Sequence, residues 1–265
     1  VVIIIGITAY IKYSASSKQM QSEPSVSTGA LENTYNQIAD MMSNITVSIY
    51  DDGNFGRVQP KLLGSGIVVS KKYILTNGHI VNNKTNFFVT IFTPQQITYP
   101  VTLFRSDTAN DLALLRLVDN VEFSTVGFIG NSDAVDVGDI VFAMGNAFGK
   151  GNLLTNGMIV DKNFSYSVSG YNYTSMFRTN INNYSGTCGG PLVNIEGEVV
   201  GINNSAGCAN NTYISISYAT PINRALAILN SSIPDPSLPQ NRTVPYQPAV
   251  FMPQGYKQGN PYSLI

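Results

Sequence analysis

Along most of this chain, apolar residues come in runs of four to seven, cut by Gly, Asn and Asp. Examples are Ile45–Tyr50, Gly66–Val69, Tyr73–Thr76, Phe87–Phe92, Leu112–Leu117, Ile140–Met144 and Val199–Ile202. Runs of this length between turn residues fit strands, and their succession without intervening helical periodicity predicts an all-β barrel or sandwich rather than βαβ units. One segment breaks the pattern. After Pro221, residues Ile222, Ala225, Leu226 and Leu229 recur at i, i+3, i+4 and i+7, which predicts a short C-terminal helix opened by proline.

The two ends follow other rules. Residues 1–13 (VVIIIGITAYIKY) are apolar apart from Thr8 and Lys12. Alone they are shorter than the roughly 20 residues a membrane helix needs. They read as part of a membrane anchor, with a buried strand or a signal-peptide core as alternatives. Residues 14–37 open Ser- and Gln-rich without periodicity and read as a linker. The β-patterned region runs over 38–233. Beyond it, residues 234–265 hold seven of the 13 prolines, interleaved with Tyr246, Phe251, Tyr256 and Tyr262. Such a tail cannot pack a core alone and reads as an extended segment that wraps a partner or remains a solvated linker.

Composition narrows the function. Charged residues are only 12% and the formal net charge is −1, so no basic footprint favours nucleic acid. One His and two Cys cannot build a structural zinc site without carboxylates, and no metal or other cofactor is expected. Nine N-x-Ser/Thr sequons occur, but Asn183 and Asn203 border the cleft proposed below, where glycans would obstruct a substrate, so glycosylation is not inferred.

Three segments carry chemistry. The only histidine lies in Thr76-Asn77-Gly78-His79-Ile80, just after an expected strand. Asp111 opens the apolar run Leu112–Leu117, and Cys188 sits in Ser185-Gly186-Thr187-Cys188-Gly189-Gly190-Pro191. Covalent catalysis needs a nucleophile, a base to take its proton and a third group to orient that base. Glycines beside the nucleophile let the backbone turn sharply and aim N–H groups at an oxyanion. Each segment alone has an ordinary structural explanation. Together, in this order and with the sole His among them, they point to nucleophilic catalysis.

These segments resemble the trypsin-fold endopeptidases, nearest the HtrA/Deg group. The likeness runs through Leu63-Gly64-Ser65-Gly66-Ile67-Val68, Tyr73–Val81, Asn110–Leu115, Gly130–Asp133, Val137–Asp139, Ala143–Gly149, Thr155–Ile159, Ser185–Val193 and Gly197–Asn203. It implies two six-stranded antiparallel β-barrels with the active site in the cleft between them. In that frame His79 is the general base and acid, Asp111 orients it, and Cys188 is the nucleophile. Gly186, Thr187 and Cys188 form the oxyanion-hole segment, and Asn180, Tyr184, Ile202, Asn203 and Asn204 border the specificity pocket. Such an uncharged lining implies a small or medium apolar side chain at the cleavage site. The chain departs from the family pattern in three places. Cys188 stands where the family has Ser, the Pro-rich tail follows where a PDZ domain is usual, and Asn146-Ala147-Phe148 replaces Asn-Pro-Phe.

The expectation is a membrane-tethered endopeptidase with a Cys-His-Asp triad acting on polypeptides, its protease domain outside the cytoplasm or within a virion. The alternative is a catalytically inactive scaffolding protein, such as a virion component, that uses the fold and tail for assembly. Either implies an oligomer or a place in a larger assembly. Cys208, the other cysteine, reads as an unpaired loop thiol; a bond between it and Cys188 would instead consume the nucleophile and leave the protein inert or redox-switched.

Overall fold

The computed structural model describes residues 28–51, 60–82, 84–92, 96–168, 171–204 and 216–233. The hydrophobic segment 1–13, the tail 234–265 and Cys208 lie outside these residues. Two compact units divide the chain, Val1–Tyr35 and Asn36–Ile265. The described part of the first is the opening of helix α1 (Thr28–Ile45); the second holds the rest of α1 and both barrels.

Residues 28–37 of the expected linker 14–37 lie in helix α1. Its buried residues Ile38, Met42 and Ile45 fall at i, i+4 and i+7, one face of a helix. That spacing crosses the border between the Ser-rich stretch and the first strand. Treating the two sides separately hides it.

The first barrel contains β1 (Thr46–Asp51), β2 (Leu62–Val68), β3 (Tyr73–Asn77), β4 (Asn86–Ile91), β5 (Ile97–Asp107) and β6 (Leu112–Leu117). These strands pair antiparallel in the order β1-β2-β3-β6-β5-β4, and β1 against β4 closes the circle. Inward-facing Val47, Ile49, Ile74, Val89, Val101 and Leu115 fill it. Gly66 is required by this packing, because a Cβ there would lie 2.7 Å from the Ile74 side chain.

The second barrel contains β7 (Ile140–Asn146), β8 (Asn152–Val168), β9 (Tyr171–Thr179), β10 (Pro191–Asn194), β11 (Val199–Asn204) and β12 (Ser217–Pro221). Its order is β10-β11-β12-β9-β8-β7, closed by β10 against β7. Val141, Ala143, Ile159, Phe177, Leu192, Val200 and Ala219 form its core. The two six-stranded barrels are the expected all-β architecture. After β12 the chain forms a 3₁₀ turn at Ile222–Ala225 and the short helix α2 (Leu226–Asn230), burying Ile222, Ala225, Ile228 and Leu229. Among the described residues no helix is long and apolar enough to cross a membrane.

Candidate active site

Strands β3 and β6 are neighbours, with Asn77 opposite Leu112, so the residues just beyond that register meet. After Asn77 the chain turns through a 3₁₀ segment, Gly78–Ile80, which carries His79. On the facing strand Asp111 precedes Leu112 in a left-handed conformation, φ 53°, which Asp tolerates better than most residues. The Gly78 N–H donates to the Asp111 carbonyl at 2.9 Å and fixes the junction.

The two side chains are joined twice. His79 Nδ1 lies 2.7 Å from Asp111 Oδ2, and the His79 backbone N–H donates to Oδ1 at 2.7 Å. A carboxylate partner holds the proton on Nδ1 and leaves Nε2 as the basic nitrogen. Asp111 is 2% exposed, so its charge depends on donors around it. Besides His79, Oδ2 accepts from the Tyr173 hydroxyl at 2.9 Å and from Asn204 Nδ2 at 3.3 Å. The Tyr173 phenol is pushed above the ordinary tyrosine range, first by burial and then by the Asp111 charge, so it remains a donor.

The loop carrying Cys188 is clamped from both barrels. The Cys188 carbonyl accepts from Ser65 N on β2 at 2.8 Å, and its side chain is part of the first-barrel core. Ser65 Oγ donates to the Gly186 carbonyl at 2.7 Å and accepts from Asn146 N at 3.0 Å. On the other side Gly189 N donates to the Asn203 carbonyl and Asn203 N to the Gly190 carbonyl, both at 2.8 Å. Gly189 has φ 86°, and a Cβ there would lie 2.1 Å from the Ser65 carbonyl oxygen. No other residue fits.

Phe148 N donates to the Ser185 carbonyl at 2.8 Å. In a trans peptide the Gly186 N–H therefore points the opposite way, away from Phe148. The Thr187 N–H is taken by the Tyr184 carbonyl at 3.1 Å, so Thr187 spaces the Gly186 and Cys188 amides without offering its own. Cys188 is disulfide-bonded, and the one other cysteine of the sequence is Cys208.

The five residues expected at the specificity pocket divide. Asn204 turns to Asp111. Tyr184 packs edge-on against Phe148, ring centroids 5.7 Å apart, beside the Gly-rich loop. Ile202 is fully buried. Asn180 Oδ1 accepts from Met158 N on β8, and Asn203 Nδ2 donates to the Pro191 carbonyl, so both side chains brace backbone. Clefts of about 330 and 440 Å³ on the second barrel include none of the site residues in their walls. Tyr173 and the bridging role of Ser65 were not foreseen. The alternation Tyr171-Asn172-Tyr173 was the available signal for the first, since it puts both rings on one strand face.

A family model for the trypsin-like peptidase domain matches residues 64–202. The chain belongs to that family. This trypsin-like peptidase domain is 35% identical over 176 residues to a probable periplasmic serine endoprotease DegP-like of Hahella chejuensis, covering 66% of this chain and 36% of that protein. It is 33% identical over 175 residues to the periplasmic serine endoprotease DegP of Escherichia coli, covering 64% of this chain and 36% of the relative. The domain thus spans about a third of the length of these curated relatives. Among solved structures, the HtrA-type protease AlgW with tripeptide superposes with TM-score 0.63 at 25% identity, over 74% of this chain and 62% of the other.

Proposed function

We propose that this chain is an extracytoplasmic, HtrA-like endopeptidase whose nucleophile is Cys188, released when its disulfide is reduced. The observation that carries this reading is the pair of hydrogen bonds joining His79 to Asp111 where β3 ends and β6 begins, beside a loop whose Gly186, Gly189 and Gly190 leave no room for a Cβ. A dithiol reductant supplies two electrons and two protons, yields two protein thiols and leaves as its own disulfide. His79 then takes the Cys188 proton, and the sulfur attacks the scissile carbonyl carbon while the Gly186 and Cys188 amides receive the oxyanion. The proton passes to the departing amine, and water hydrolyses the thioester with His79 as base. Asp111 holds the imidazole in the tautomer with a basic Nε2. Relatives described as periplasmic support a location outside the cytoplasm, and the apolar segment 1–13 supports membrane tethering.

A second reading, a non-enzymatic scaffold, is favoured by one observation: Cys188 is already bonded. The two separate on a fluorescein-labelled casein assay of the full chain, before and after tris(2-carboxyethyl)phosphine. The peptidase reading expects cleavage only after reduction, abolished by iodoacetamide or by His79→Ala. Inertness of both the reduced protein and Cys188→Ser would favour the scaffold.

A further inference from the structure

Barrel two reaches across to Asp111 with the Tyr173 hydroxyl and the Asn204 amide. Tyr173 on β9 is 7% exposed, and its phenolic O–H donates to Asp111 Oδ2 at 2.9 Å, on the same oxygen that faces His79 Nδ1. Its ring is held by stacking. Tyr166 lies 4.8 Å away and Tyr171 5.8 Å away between centroids, and Tyr166 in turn stacks on Tyr218 at 4.4 Å. The ladder continues from Tyr218 to Phe164 at 5.1 Å, under the Arg178 guanidinium at 4.9 Å. Tyr171 is fixed at its far end by Asn82 Nδ2, three residues beyond His79. A phenol so confined cannot rotate away from the carboxylate without dismantling the stack.

We propose that Tyr173 is a positioning residue that sets the orientation and charge distribution of Asp111, and through it the His79 imidazole. The groups facing Asp111 are His79 and Asn77 from the end of β3, Tyr173 from β9 and Asn204 from β11, with Tyr166 behind Tyr173. Among the described residues, Tyr173 and Asn204 come from the second barrel to the carboxylate oxygens, and the Tyr173 contact is the shorter. Hydrogen bonds to a buried charged acceptor are stronger than neutral ones. A donor on Oδ2 shares the carboxylate charge with Nδ1–H and fixes the plane of the carboxylate. The ladder therefore sets the geometry of the His79–Asp111 pair from the opposite barrel.

The proposal rests on the peptidase reading only for its kinetic arm. Its first test does not, because the chain contains a single histidine and one imidazole gives one set of NMR signals. Tyr173→Phe keeps the ring in the stack and removes only the oxygen. In the full-length variant the His79 Nδ1–H resonance is expected to move downfield, since that proton no longer shares Oδ2 with a phenol. In Tyr171→Phe, whose hydroxyl meets Asn82, it stays in place. On casein, reduced Tyr173→Phe is expected to lose about tenfold in kcat with KM unchanged, the equivalent of one charge-assisted hydrogen bond. An unmoved Nδ1–H resonance in folded Tyr173→Phe, with at most a lowered melting temperature, overturns the proposal. If the wild type shows no cleavage but the resonance moves, the peptidase reading fails and the positioning role stands.

Discussion

Ser65 joins three pieces of the molecule through one oxygen, and replacing it with alanine measures that junction. Its hydroxyl is fully buried, donates to the Gly186 carbonyl at 2.7 Å and accepts from the Asn146 N–H at 3.0 Å. Ser65→Ala leaves a buried carbonyl and a buried N–H without this partner, each costing about 1–3 kcal/mol. Water cannot take over readily. Ser65 is fully buried, so bulk water does not reach the vacated position, and one lost oxygen frees less room than a water occupies. The expected loss is about 3 kcal/mol, a substantial share of the roughly 5–15 kcal/mol of a typical domain. In urea this appears as a lower midpoint with unchanged slope, and in a thermal scan as a fall of roughly 6–12 °C. Activity of the reduced protein should drop further than stability explains, because the Gly186 carbonyl that Ser65 holds lies in the loop between the Gly186 and Cys188 amides, and its release loosens both. Loss of one oxyanion donor costs about 10²–10³ in kcat, and a partial displacement should cost at least about tenfold. A destabilisation under 1 kcal/mol with full activity would refute the bridging account.

Three other outcomes are expected. Gly189→Ala combines a left-handed φ with a 2.1 Å clash against the Ser65 carbonyl, so it should cost about 3–5 kcal/mol, read as a denaturant midpoint; a neutral result would show that the loop has another path. Met42→Ala should cost about 2–5 kcal/mol in the same measurement, because its side chain is fully buried under α1, and a surface-like value below 0.5 kcal/mol would remove the helix from the core. Burial raises the Tyr166 and Tyr173 phenols above their unfolded value. The folded state then retains protons that the unfolded state releases above about pH 10, so their stabilising contribution is complete below that pH and declines as pH rises beyond it. Melting temperatures between pH 9 and 11.5 should fall, and less steeply in Tyr166→Phe; parallel curves would contradict the shift.

The barrels were legible in the sequence because burial on one face imposes short apolar runs, and Leu112–Leu117 or Ile140–Met144 cannot be read as anything longer. Strand β8 was harder. Over Asn152–Val168 it alternates partly buried and exposed positions, with polar residues throughout, so no apolar run marks it. Helix α1 was lost because its stripe starts inside a polar segment. The proximity of His79 to Asp111 follows from neighbouring strands and was inferable from the resemblance. Tyr173 was not. Which of 15 tyrosines meets a carboxylate depends on β8–β9 pairing with three register shifts, and sequence periodicity does not encode such shifts. The bracing roles of Asn180 and Asn203 were hidden for a similar reason, since an amide serves a pocket or a backbone equally well until its neighbours are known.

Cys188 belongs to the second barrel by chain order, yet its side chain lies in the core of the first. This has a consequence for biosynthesis. His79 and Asp111 leave the ribosome with the first barrel, while Cys188 follows 77 positions after Asp111 (188 minus 111). At about 5–20 residues per second that interval lasts several seconds, during which the nascent chain holds the His79–Asp111 pair without Cys188. The first barrel must also wait for Cys188 to complete its own interior. Completion of the first barrel and of the proposed site thus depends on the same late residue.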